Sequence, residues 1–218
     1  MFHSERLNWL LAAGLSAAVS FSALAQNNAT PSKDSKKAGG QPSEADMMAQ
    51  MMELMKPGEN HKLLARGVGT WSYAVKMWMS PDAAPSESSG TAVVREIMGG
   101  RFFLGDHSGK FDMPGPDGKP MSMDFKGMSI EGYDNAKKMF VASWIDNMGT
   151  GIMSLEGTYD SMNKTFTYRG EYEPMPGMRT KVREVIKITD NDHHTFEFYE
   201  DRGGTEVKTM EMTYTRKA

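Results

Sequence analysis

The chain has 218 residues, a formal net charge of -3 and no cysteine, and 10% of its residues are aromatic. This length is enough for one domain with a sizeable core. The 25 basic residues are balanced by 28 acidic ones, which argues against the concentrated basic face that a nucleic-acid partner requires. Without cysteine there is no disulfide and no lipid-modified cysteine, so stability must come from packing.

Residues 1–25 have the features of a secretory signal peptide. Arg6 precedes an apolar run over residues 9–24, and the small residues at Ala23 and Ala25 form a cleavage pattern. We therefore predict a Sec-type signal, cleavage near Ala25-Gln26, and a periplasmic or secreted protein. The run is short for a membrane span, so we expect no stable membrane insertion after cleavage, although an uncleaved anchor is an alternative.

A disordered linker and a helical segment are predicted next. Residues 26–42 contain almost no apolar side chains and cannot offset the entropy of ordering. A helix is predicted to begin at Ser43, whose hydroxyl can cap the first turn, with Asp46 in the capping-box position. A second short helical turn follows, and we expect the whole segment, residues 43–66, to cap one end of the next domain.

The helical segment is rich in methionine, of which the chain has 21. Flexible thioether side chains suit irregular space, so the first interpretation is that this helix plugs the mouth of a barrel. Thioethers are also soft ligands that select Cu(I), and His61 lies a short way along the chain. The alternative copper(I) site consists of Met48, Met51, Met52 and Met55.

Residues 67–218 read as about ten short strands separated by turn signals. Apolar and aromatic residues alternate at period two, as in Trp71 and Tyr73 of the first strand. An uninterrupted antiparallel meander of this length removes its edges by closing on itself. We therefore predict an all-β fold, a closed antiparallel up-and-down barrel of about ten strands. Gly157 and Gly170 on inward faces are expected to leave room in its lumen.

Several separated motifs in one order resemble the bacterial DUF1579 family, whose function is unknown. The motifs are residues 57–64, 69–71, 99–102, 132–135, 143–151, 182–185 and 212–216. The resemblance implies a calycin-like barrel of the lipocalin and nitrobindin type. In that type a Gly-x-Trp opens the first strand and a basic residue of the last strand packs on the indole. Trp71 and Arg216 occupy those positions here, and the resemblance implies a structural, barrel-closing pair.

Six strand residues are candidates for ligand binding in the lumen: Phe103, His107, Trp144, Asp146, Tyr168 and Glu184. His107 shares a face with Phe103, and an inward neutral imidazole could ligate haem. The other interpretation is a hydrogen-bonded or surface histidine. Glu184 shares an inward face with Val182, so it is either a satisfied anchor in the lumen or close to a barrel mouth.

The pattern does not decide which face of the strand that contains Trp144 is inward, because Val141 and Ile145 on the face opposite Trp144 are also apolar. An inward Trp144 beside Asp146 would give an apolar wall with one polar anchor. Alternatively, Asp146 belongs to the turn that follows.

Enzyme signatures are absent from the sequence, including nucleophile elbows, zinc-binding helices, phosphate loops and cysteine nucleophiles. We assign no catalytic residue, no metal site apart from the copper alternative, and no cofactor, with haem and Cu(I) as alternatives. The sequence favours a small apolar or amphipathic ligand in the lumen over enzymatic activity. A structural or interaction module with a filled core is a further alternative.

Overall fold

A computed structural model describes residues 42–114 and 120–218 of the chain. The predicted signal peptide and nearly all of the predicted linker, up to residue 41, lie outside the described residues. The helices and strands are α1 Glu44–Leu54, α2 Glu59–Ala65, β1 Gly69–Met77, β2 Ser86–Ile97, β3 Phe102–Pro114, β4 Pro120–Asp134, β5 Met139–Asp146, β6 Met153–Asp160, β7 Thr165–Tyr172, β8 Thr180–Ile188, β9 His193–Arg202 and β10 Thr205–Arg216.

The ten strands form one closed antiparallel barrel, which confirms the predicted fold. Each strand pairs with its neighbours in the chain, and β1 pairs with β10 to complete the circle. We call the end at which α2 enters the helix end, and the opposite end, with the β1–β2, β5–β6, β7–β8 and β9–β10 connections, the loop end. Closure leaves no unpaired sheet edge for a second chain to join.

The barrel is joined between Trp71 and Arg216, which are paired in register. The guanidinium carbon of Arg216 lies 4.1 Å from the centre of the Trp71 ring, a cation–π contact. The same guanidinium donates hydrogen bonds to the carbonyl oxygens of Val68, Arg66 and Asn191, at 2.6, 2.7 and 3.0 Å. One side chain therefore joins the chain before β1, the last strand and the β8–β9 turn.

Helix α1 begins as the sequence predicts. The Ser43 hydroxyl accepts a hydrogen bond from the Asp46 amide at 3.2 Å, and the Asp46 carboxylate accepts one from the Ser43 amide at 3.3 Å. These reciprocal bonds satisfy amide groups that a helix N-terminus leaves unpaired. The helix therefore forms from its own capping chemistry, although no residue in it is buried.

The predicted cap is formed by α2 and not by the methionine-rich α1. Leu64 of α2 is buried in a core cluster with Phe103, Phe140 and other barrel residues. The methionines of α1 are instead exposed, between 50% and 56% of each side chain. Among the described residues, the contacts of α1 with the barrel are at its C-terminal end, where Asn135 donates to the Leu54 carbonyl oxygen at 2.8 Å and Arg101 donates to the Met55 carbonyl oxygen at 3.1 Å. The interpretation that these thioethers plug the barrel is therefore wrong.

The two glycines that we expected to leave space in the lumen instead allow close packing. A Cβ atom at Gly157 would lie 2.6 Å from Cδ1 of Tyr168, and one at Gly170 would lie 2.7 Å from Cδ2 of Leu155. The space above each glycine is thus already filled by a neighbouring side chain. These glycines let large residues lie flat against the wall, and the interior space comes from elsewhere.

Candidate ligand site inside the barrel

The described part of the barrel contains a cavity of about 1580 Å³. This exceeds the roughly 300–1,000 Å³ of most small-molecule pockets. Aromatic side chains from six strands contribute to its wall: Tyr73, Phe103, Trp144, Phe166, Phe198 and Tyr214. The interior is therefore not filled by its own side chains, which disfavours the alternative of a solid structural module.

The six candidate residues all lie on inward faces of their strands. Five of them line the cavity: Phe103, His107, Trp144, Asp146 and Glu184. Tyr168 lies deeper in the wall and is 1% exposed. For β5 the structure resolves the face that the pattern left open, because Phe140 is 3% exposed whereas Ile145 is 42% exposed. The Trp144 face is inward.

Trp144 and Asp146 hold each other in place near the loop end. The indole Nε1 donates to Oδ2 of Asp146 at 2.7 Å, and Oδ1 of the same carboxylate accepts the Met148 amide at 2.9 Å. The indole also stacks on Phe125, with ring centres 6.2 Å apart. Asp146 therefore belongs to the turn, as one interpretation predicts, and also holds the indole, while its role as a ligand anchor stays a prediction.

His107 is a neutral side chain among aromatic rings. Its ring centre lies 5.1 Å from that of Trp144 and 6.3 Å from that of Tyr73, and burial lowers its pKa to about 4. However, its Nε2 is directed toward Gly105, where a Cβ atom would be only 3.0 Å away. This orientation gives no support to haem ligation through Nε2, and haem binding stays a prediction.

His194 is a second inward histidine. Its ring stacks on Tyr214 with centres 4.4 Å apart and meets the edge of Trp71 at 4.6 Å. Burial, and secondarily the charge of Arg216, lower its pKa to about 4. The sequence predicts that His193 and His194 point to opposite faces, and His193 is indeed exposed and paired with Asp190 at 2.9 Å. The role of His194 in the wall was not predicted.

Two carboxyl groups, Glu131 of β4 and Glu184 of β8, face the cavity. Both glutamates are partly accessible from the cavity, and the rest of each side chain is surrounded by protein. Burial raises the pKa of Glu131 to about 7. Burial, and secondarily the charge of Glu131, raise the pKa of Glu184 to about 8. Such shifts indicate that neither carboxylate is compensated by a cation.

Sequence reasoning missed Glu131 because the outward face of β4 is more apolar than the inward face that carries Glu131. Glu131 shares its face with Ser129, whereas Met128 and Ile130 alternate with them. An alternating strand normally buries its apolar face, but Ile130 is 40% exposed. Glu131 is paired with Phe103, an inward residue of β3. This pairing shows that Glu131 is inward, but it can be used only once the register of the two strands is known.

Tyr168 places a buried hydroxyl group in the same interior. Among the described residues, this hydroxyl is the one buried side-chain polar atom without a hydrogen-bond partner. Burial raises the pKa of Tyr168, and the charges of Glu131 and Glu184 raise it further. Buried polar groups are nearly always hydrogen-bonded, so this hydroxyl is unusual, but it belongs to the wall because Tyr168 does not line the cavity.

Charged groups near the loop end are paired with each other. Tyr172 donates its hydroxyl to Glu200 at 2.6 Å, and Arg202 pairs with the same carboxylate at 3.0 Å. Arg202 also donates to the Met79 carbonyl oxygen at 3.1 Å. These contacts join β7, β9 and the β1–β2 connection, and form a polar rim around an apolar interior.

Metal and membrane features are limited in the described residues. Nowhere in residues 42–114 and 120–218 do three or more His, Asp or Glu side chains group in a way suited to a metal ion. Over the same residues, no helix has the length and apolar character needed to span a bilayer.

Comparison with known proteins identifies a family and a fold for the chain. The sequence model of a family described as "Protein of unknown function (DUF1579)" matches residues 56–216. No curated protein matches the sequence. The crystal structure of Rv2717c from M. tuberculosis is similar, with a TM-score of 0.51 and 13% identity, over 75% of this chain and 100% of that one. At this identity the likeness shows the barrel fold alone.

Proposed function

Because the chain belongs to the DUF1579 family of unknown function, we propose from its interior that the protein binds a small amphipathic molecule inside the barrel. The observation that supports this is the cavity of about 1580 Å³, whose wall is mainly apolar and aromatic with polar groups interspersed. Small-molecule sites combine an apolar wall with a few placed polar groups in this way. The predicted signal peptide would place this function in the periplasm or outside the cell.

Narrowing the lumen should reduce ligand uptake. Ala142 lines the cavity and is paired with Glu131 and Leu155 on the neighbouring strands. An Ala142→Trp substitution would project an indole into the cavity. We expect at least a tenfold loss of affinity for a fluorescent apolar dye such as 1-anilinonaphthalene-8-sulfonate, since filled volume cannot accept it.

Val93→Trp is the matched control for this experiment, because Val93 lies on the outer face of β2 and is 45% exposed. It should leave dye affinity within twofold of the parent protein. Native mass spectrometry of the purified protein supplies a second measurement, in which we expect a bound molecule. A barrel that is always empty, and whose dye uptake is equal in both variants, would refute lumenal binding.

A second candidate function is Cu(I) binding by α1, and the exposure of its thioethers favours it. Met48, Met51, Met52 and Met55 lie at spacings of three and four residues, so they share one helix face. Since they are exposed, packing does not explain them. His61 does not belong to this site, because it is 5% exposed and its Nδ1 accepts the Gly58 amide at 2.9 Å.

Replacing these four methionines by leucine should abolish Cu(I) binding if α1 is the site. Leucine keeps the helix propensity and the apolar volume but removes the soft sulfur ligands. We expect at least a tenfold weaker affinity in competition with a chromogenic Cu(I) chelator. A triple Met→Leu variant at the exposed positions Met162, Met175 and Met178 is the control. Equal Cu(I) binding by both variants would eliminate α1 as a copper site.

A further inference from the structure

We propose, on the basis of lumenal binding, that Glu131 and Glu184 recognise the basic amino group of an amphipathic amine whose apolar body occupies the cavity. Both carboxyl groups line the cavity and come from β4 and β8, so the site is built across the barrel. Tyr168 and Glu184 are direct partners in the β7–β8 register.

The charge around the two carboxyl groups is unbalanced. Among described residues, the side chain whose charge acts on Glu184 is Glu131, and no cation lowers the pKa of either group. Five cations also line the cavity, but all of them are exposed: Arg66, Lys110, Lys164, Arg179 and Arg202. When the two glutamates ionise, the interior therefore carries negative charge that a ligand has to neutralise.

Tyr168 lies in the wall behind this site. The residue is 1% exposed and does not line the cavity, and its hydroxyl has no hydrogen-bond partner among the described residues. Two ionised carboxylates supply four acceptor oxygens, which is enough for the three donor hydrogens of a primary ammonium.

Aromatic rings flank the carboxyl groups. Phe103 is paired with Glu131 across β3 and β4, and Phe198 is paired with Glu184 across β8 and β9. Both rings line the cavity. Aromatic faces attract cations, and they also pack on an alkyl chain. The surroundings therefore suit an ammonium group on an apolar body better than a fatty acid, whose carboxylate would meet two like charges.

The affinity for an amine should increase with pH because the carboxyl groups must be ionised. Their raised pKa values leave them largely protonated at pH 6, so affinity should rise at least about tenfold between pH 6 and pH 8.5. Other titratable groups facing the site are His107, His194, Tyr73, Tyr168 and Tyr214, from β3, β9, β1, β7 and β10. Burial keeps all five neutral over this range.

The test compares decylamine, decanol and decanoic acid, which share one chain length, by isothermal titration calorimetry at pH 8. We expect decylamine to bind at least 30-fold more tightly than decanol, and decanoic acid to bind most weakly. E131Q/E184Q should reduce this preference to threefold or less while decanol affinity is kept. Glu156→Gln, on the exposed outer wall, is the control and should change nothing.

Each outcome decides a separate point. If decylamine and decanol bind equally to the parent protein, or decanoic acid binds best, amine recognition is refuted while lumenal binding stands. If none of the three binds, both proposals are refuted. Circular dichroism of each variant verifies folding, and the pH dependence of decylamine binding to the parent protein tests the glutamates without any substitution.

Discussion

Replacing Glu131 and Glu184 together by glutamine should increase the free energy of unfolding at pH 9 by on the order of 8 kcal/mol, since each unit of raised pKa corresponds to about 1.4 kcal/mol. The folded barrel raises their pKa values from 4.5 to about 7 and 8. Above pH 4.5 the unfolded chain has released protons that the folded state still holds, so stability falls as pH rises from about 4.5 and levels off above about 8. Glutamine is neutral at every pH and removes this loss.

The parent protein should itself become less stable by roughly 2 kcal/mol between pH 7 and pH 9, as measured by urea unfolding. Two buried histidines have the opposite effect on stability, which they reduce as the pH falls. The folded-state pKa values of His107 and His194 are lowered to about 4, so they destabilise the barrel as pH falls below 6.5. The buried tyrosines titrate above this range. Equal slopes for the parent and the double variant between pH 7 and 9 would contradict the assignment of buried, uncompensated carboxyl groups.

Arg216→Ala should lower the free energy of unfolding by about 3 kcal/mol, because hydrogen bonds from a charged donor contribute about 1.5–3 kcal/mol each but are not additive. The substitution removes three bonds to carbonyl oxygens and the contact on the Trp71 ring. Arg216→Lys should recover less than half of the loss, because an ammonium group cannot reproduce the guanidinium fork.

Arg95→Ala is the control for barrel closure. Arg95 makes an exposed ion pair with Asp106 at 3.8 Å, and such pairs contribute about 0–1 kcal/mol. Urea unfolding at pH 7 should therefore distinguish the two positions clearly. An Arg216→Ala protein within 1 kcal/mol of the parent would show that strand pairing alone closes the barrel.

The fold was predictable from the sequence because its determinants are local. Alternation over each strand, turn residues between strands and the capping pair Ser43 and Asp46 each depend on a few adjacent residues. The exposure of α1 was not predictable, because an apolar stripe does not reveal whether a partner surface covers it.

The candidate site was predictable only in part, because it depends on which residues meet across strands. Glu184 was found because Val182 and Ile186 mark its face as inward, whereas Glu131 was hidden by the apolar face of Ile130. The unpartnered hydroxyl of Tyr168 could not be found at all, since satisfaction of a polar group is a property of three-dimensional neighbours.

Nine of the ten strand pairings join consecutive strands, and only β1 with β10 joins the two termini of the domain. Folding can therefore proceed through hairpins of low contact order, followed by one late encounter that carries nearly the whole loop-closure entropy. Until the final strand has been synthesised, the nascent sheet has two free edges. We expect this intermediate, in which β1 and β10 are not yet paired, to be the species most prone to self-association and most dependent on chaperones.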